Sequence, residues 1–202
     1  MSAARRWLGA AAILSSIALA SAGPRRVTPT FGAFEPGGDA AFPRVRYSAD
    51  SLLSPNAKCA MSKAKLSIKV RPLYVNRVPV GFCCVFCARD LATSPEQPLR
   101  ESGLSFRCPV QSGAAAPIDS ASRTWVGFEL FYFSSPNAKA RFLKEPERWT
   151  GPLTDPVLLT RFQPERRSPR SEALGRLWMF AGDSSQRVFL ADVANWSQHP
   201  RR

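Results

Sequence analysis

The chain has 202 residues, 28 Lys+Arg against 15 Asp+Glu, a formal net charge of +13 and a single histidine. That length suits one domain or a few small modules, and His199, placed beside Pro200, excludes a Ser-His-Asp hydrolase and a His-ligated catalytic zinc site. The arginines are scattered (Arg25 and Arg26, Arg44 and Arg46, Arg166, Arg167 and Arg170), with no basic helix face interleaved with aromatics, so no nucleic-acid partner is expected.

In chain order, the first segment reads as a secretory signal over residues 1–22. Arg5 and Arg6 form a basic n-region, Trp7 to Leu19 an apolar stretch too short to span a bilayer, and Ala20-Ser21-Ala22 a small-residue cleavage site. The expectation is a protein of the secretory pathway, extracellular or periplasmic, with no stable membrane span after cleavage. An uncleaved anchor is one alternative. An organelle reached through a transit-like leader is another, because no Asp or Glu precedes Glu35 and Arg25 and Arg26 follow the cleavage point. Residues 23–56 carry Pro24, Pro29, Pro36, Gly37, Gly38, Pro43 and Pro55 without a sustained apolar period, and read as a linker.

From there the chain repeats itself. "YVNRVPVGFCCVFCARDLATSPEQ" (74–97) lies over "WVGFELFYFSSPNAKARFLKEPER" (125–148) without a gap, and "GRLWMFAGDSSQRVFLADVANW" (175–196) follows the second stretch. Each reads as a short β-hairpin followed by a helix. Trp125, Phe131 and Phe133 are strand formers around Gly127. Ser134 or Ser135 caps the helix, Pro136 suits its first turn and Pro146 stops it. The string "SPNAK" at 54–58 and 135–139 falls out of this register and reads as coincidence. The predicted units are 57–103, 104–150 and 151–202, the last ending in a basic tail. Their aromatics, Trp125, Phe128, Phe131, Phe133, Phe142, Trp149, Trp178, Met179, Phe180, Phe189 and Trp196, are expected to stack into one continuous core.

Four of the five cysteines, Cys59, Cys83, Cys84 and Cys87, fall in the first unit, and Cys108 opens the second. Cys83 and Cys87 are one helical turn apart on one face, where the helix N-terminus favours thiolates. Cys59 precedes the hairpin and returns to the same point. The pattern C-x23-C-x3-C makes a three-thiolate pocket suited to Zn or Cu(I), with Cys84, Cys108, a water or a partner's atom as fourth ligand.

These residues resemble the YHS or TRASH-type domain, a short metal-binding cysteine module. "CAMSKAKLSIKVRPLYVNRVPVGFCCVFC" carries its cysteine spacing, "FYFSSPNAKARFLKEPERW" is similar to its ending, and "DPVLLT" (155–160) to its opening. The resemblance implies an α+β fold of tandem treble-clef-like units. It also implies a metal set of Cys59, Cys83 and Cys87 in the first unit, reduced to Cys108, Ser134 and Ala138 in the second and to Leu158, Ala181 and Ser185 in the third. Arg77 stands where the family usually has a turn glycine.

The functional expectation is a metal carrier or sensor without catalysis, with a protein partner for the ion. Three other readings compete: structural disulfides, a thiol-redox pair in "CVFC" (84–87), and a scaffold whose metal site is vestigial. Units of this size ordinarily need a metal, a disulfide or a partner to stay folded.

Overall fold

The computed structural model describes residues 41–198. The leader, the first part of the predicted linker and His199 lie outside them. Among the described residues the chain is mixed α and β, with no helix long and apolar enough to cross a membrane. Part of the predicted linker is structured: β1 (Arg46–Tyr47) and β2 (Leu52–Leu53) form a ribbon that buries Tyr47 and leads to the buried Ser54. Ser54 Oγ accepts from Val45 N and donates to the Asn56 carbonyl, which ties down a proline-rich stretch without a hydrophobic period.

The next elements are β3 (Leu73–Val75), β4 (Val78–Val80), α1 (Val85–Thr93) and α2 (Glu96–Glu101). A ribbon of β5 (Phe106–Arg107) and β6 (Ala115–Ala116) precedes β7 (Arg123–Val126), β8 (Glu129–Tyr132), α3 (Pro136–Lys144) and α4 (Pro146–Trp149). Last come β9 (Leu153–Thr154), β10 (Arg161–Phe162), β11 (Arg170–Ala173), β12 (Arg176–Met179), α5 (Asp183–Ala191) and α6 (Val193–Trp196). One succession thus recurs: hairpin, helix, short helix.

The three hairpins share one sheet in the order β11-β12-β7-β8-β3-β4. Within each hairpin the strands are antiparallel. Between hairpins they are parallel, with Leu177 opposite Val126 and Val75 opposite Leu130. The first hairpin turns on Asn76 and Arg77, both left-handed at φ 46° and 70°. Arg77 thus takes the left-handed conformation that a turn glycine would adopt without strain, and the turn is secured by Asn76. Its buried amide donates to the Arg107 and Tyr132 carbonyls and accepts from Tyr132 N, fixing the turn to β5 and β8.

Helix α3 begins as its sequence dictates. Ser135 Oγ accepts from Ala138 N at 3.2 Å and Pro136 occupies the first turn, where its missing N–H costs nothing. Phe142 then packs at 4.9 Å, ring centre to ring centre, against both Phe131 and Phe133. Burying each such ring contributes about 1.5–3 kcal/mol.

The expected single core is two clusters. The larger joins the first two units and takes in Leu153 and Met179, while Phe128 of the second unit forms a separate one with Trp178, Phe180 and Phe189 of the third. In the smaller cluster Phe128 and Trp178 meet edge to face, and Trp178 and Phe180 pack on Phe189 of α5. Trp125, Trp149 and Trp196 are only partly buried at the rims.

A buried charge network links the parts. Arg161 on β10 pairs with Asp50 at 3.2 Å and with Glu129 on β8, and its guanidinium lies 3.8 Å from the Tyr74 ring centre. Burial raises the Glu129 carboxyl from 4.5 to about 7, against the pull of Arg161. The folded chain keeps this proton where the unfolded chain has lost it. Its stabilising effect is therefore complete below about pH 4.5 and disappears as pH climbs through about 7. Between about pH 5 and pH 8, the metal-free protein should lose roughly 1–3 kcal/mol relative to Glu129→Gln in urea denaturation. Parallel pH profiles of the two proteins would contradict this assignment.

Candidate metal centre

Cys59 sits in a tight turn closed by the Lys58–Lys65 bridge. Cys59 N donates to the Ala64 carbonyl at 2.8 Å, Lys63 N returns to the Cys59 carbonyl at 3.0 Å, and Lys63 adopts a left-handed φ of 61°. Cys83 follows β4, and Cys87 lies in the first turn of α1. A side chain that the sequence reading passed over joins these two loops. Buried Asn56 donates to the Lys58 carbonyl at 2.9 Å and to the Gly81 carbonyl at 2.8 Å, and accepts from Gly81 N at 3.0 Å. It thus clamps the residue before Cys59 to the residue two before Cys83. Gly81 must be small there, since a Cβ would come within 2.9 Å of Leu66 Cδ1 and Tyr47 Oη.

The sulfurs of Cys59, Cys83 and Cys87 all lie within 4.8 Å of one another, and the Cys83–Cys87 pair is at 3.7 Å. A tetrahedral zinc with Zn–S bonds of about 2.3 Å has S···S edges of about 3.8 Å, so the donor set fits such an ion with little movement. Cys59 is fully buried, and all five cysteines are free thiols. Ser62 Oγ lies 3.1 Å from Cys83 Sγ and also reaches Cys59.

Burial alone would raise the Cys59 thiol. Hydrogen bonds from the Ser62 hydroxyl and from the N–H groups of Ser62, Cys83 and Met61 outweigh it, and the value falls to about 7. Burial raises both Cys83 and Cys87. The Cys59 charge adds to the rise in each, and Cys87 is raised further by its contacts with Cys84 and Cys83. The metal-free pocket therefore holds one acidified thiol facing two that keep their protons more tightly, and a cation entering it displaces protons.

Cys84 and Cys108 have other places. Cys84 is the N-cap residue of α1, where the N–H of Cys87 is the main cause that lowers its thiol. Its counterpart before α3 is the capping Ser135. Cys84 touches Cys83 and Cys87 but is outside the three-sulfur group. Cys108 lies in the second unit against Ser134, whose hydroxyl and N–H, with the N–H groups of Val110 and Gln111, lower its thiol despite burial.

The turn around Cys59 recurs in the other units. Cys108 N donates to the Ala114 carbonyl at 2.9 Å, with Gly113 left-handed. In the third unit Asp155 N donates to the Thr160 carbonyl at 3.0 Å, Leu159 N returns to the Asp155 carbonyl, and Leu159 is left-handed. The counterpart of Cys59 is therefore Asp155 and not Leu158, which is exposed. Asp155 Oδ1 accepts from Val157 N and Leu158 N at 2.9 Å; Oδ2 accepts from Ala181 N and Ser185 Oγ at 2.8 Å. Each turn thus offers N–H groups from the second and third residues onward and from the residue at the end of the hairpin. They receive a thiol of lowered pKa at Cys59 and at Cys108, and the side-chain oxygens of Asp155 in the third unit. The sequence carried a sign of this: the same number of residues separates Cys108 from Ser134 and Asp155 from Ala181.

No family model, curated protein or solved structure matches the chain. The site therefore has to be read from its own chemistry.

Asn56→Ala tests the clamp without touching a sulfur. It leaves buried Gly81 N–H without its acceptor, which should cost about 1–3 kcal/mol in folding stability. Metal affinity, measured by competition with a chromophoric chelator, should fall roughly tenfold or more. Unchanged affinity would show that Asn56 does not position the cysteines.

Proposed function

We propose that the protein binds one transition-metal ion, Zn or Cu(I), through Cys59, Cys83 and Cys87, as a carrier or sensor of the YHS or TRASH type. The observation that carries this reading is the mutual approach of the three sulfurs within 4.8 Å. A bridged turn, a hairpin and a helix that together supply the ligands support a treble-clef-like unit, of which the second and third segments are degenerate copies. Three protein thiolates leave one coordination position for a water, for Cys84 or for a partner's donor. An open position suits transfer of the ion between proteins. The role assigns no catalytic step to the chain. With its leader, residues 1–22, it belongs to the secretory pathway.

A second reading has its own support. The third unit satisfies its turn with Asp155 and Ser185 and needs no ion, and the second places a single thiol against Ser134. A scaffold built of such units would keep the metal, if at all, for folding alone.

Elemental analysis of the reduced protein separates the two. The expected result is one zinc or copper per chain, lost in Cys83→Ser plus Cys87→Ser, with far-UV circular dichroism retained. An ion-free wild-type protein after reconstitution favours the scaffold. Loss of the fold together with the ion makes the metal structural.

A further inference from the structure

Away from the cysteines, a cavity of about 330 Å³ is walled by Arg89 and Thr93 of α1, Arg123 and Trp125 of β7, Arg176 of β12, and Ser197. That volume lies at the lower end of the range typical of small-ligand sites. The sheet builds it. Parallel pairing with Leu177 opposite Val126 sets Arg176 beside Trp125, and strand alternation puts Arg123 on the same face as Trp125. The Arg176 guanidinium lies 4.4 Å from the Trp125 ring centre.

The charges there are unbalanced. Arg123 pairs with Glu96, and Arg89 makes an exposed pair with Asp90 at 3.5 Å. Arg176 is partly buried, and among the described residues no carboxylate forms an ion pair with it. Burial lowers its basicity, and the nearby charge of Arg123 lowers it further, so the two guanidiniums repel. A partly desolvated cation beside a like charge is unfavourable until an anion arrives.

We infer that this cavity binds a phosphate-type oxyanion, free or as the monoester of a small molecule. Guanidinium forks match phosphate oxygens in pairs, and forks from two strands suit a tetrahedral ion better than a single planar carboxylate. The hydroxyls of Thr93 and Ser197 line the wall but donate to the Arg89 and Ala194 carbonyls, so the guanidiniums supply the donors. Trp125 holds Arg176 in place through its ring face, so little side-chain freedom remains to be lost on binding.

The test is calorimetric titration of the full chain with inorganic phosphate and, separately, with glycerol phosphate, at constant ionic strength set with sodium chloride. Saturable 1:1 binding is expected for at least one probe. Tighter binding of the ester identifies a phosphomonoester as the ligand; equal or tighter binding of phosphate identifies the free ion. Arg176→Gln should weaken binding roughly tenfold or more, as loss of a hydrogen bond to a charged group does. Arg89→Gln, a change at an exposed side chain, should weaken it less, and provides the reading if Arg176→Gln fails to fold. Cys83→Ser plus Cys87→Ser should bind phosphate as wild type does, which keeps this site separate from the metal centre. No saturable heat with either probe, or wild-type affinity in both arginine variants, overturns the assignment.

Discussion

In the turn around Cys59, the N–H groups of Met61 and Ser62 point at the side chain that opens the turn, and Cys83 N–H joins them. The same convergence surrounds Cys108 and Asp155. Backbone donors fixed this way need an acceptor, since buried N–H groups without one cost free energy comparable to a lost hydrogen bond. The acceptor can be a thiolate or a carboxylate. The same turn therefore forms whether a thiol or a carboxylate opens it. In the third unit Asp155 supplies both oxygens, and Ser185 takes the place from which Cys87 reaches into the first pocket.

Units this small do not bury enough surface to stand alone. They are joined here by parallel pairing between hairpins, by the larger hydrophobic cluster that the first two units share, and by Arg161 bridging Asp50 and Glu129. If the metal-binding proposal holds, cohesion from these contacts is what stabilises the second and third units without an ion. On the proposed reading only the first unit keeps its pocket, held open by the Asn56 clamp and by the close approach that Gly81 permits. The arginine cavity follows from the same assembly, because it combines α1 of the first unit with strands of the other two.

Hairpin and helix positions were legible in the sequence because aromatic alternation and the Ser135-Pro136 start act locally. The cysteine grouping was legible for the same reason: Cys83, just before the N-cap of α1, and Cys87 in its first turn are close in the chain, and only Cys59 had to come from a distance. What escaped depends on long-range partners. Asn56 looks like an ordinary loop residue until its amide meets Gly81 across the fold. Asp155 was hidden because the resemblance read from "DPVLLT" pointed to Leu158, while the backbone turn begins at the aspartate. The ribbon Arg46–Leu53 was masked by the flanking Pro43 and Pro55 and by the lack of an apolar period, since a single buried tyrosine and a serine anchor it.

X-ray absorption of the reduced protein loaded with one equivalent of zinc or Cu(I) addresses the metal centre most directly. A first shell dominated by three sulfurs at about 2.3 Å, reduced in Cys59→Ser, is the predicted spectrum. A shell of nitrogen and oxygen alone, unchanged when Cys59 is replaced, would mean that these thiols do not hold the ion.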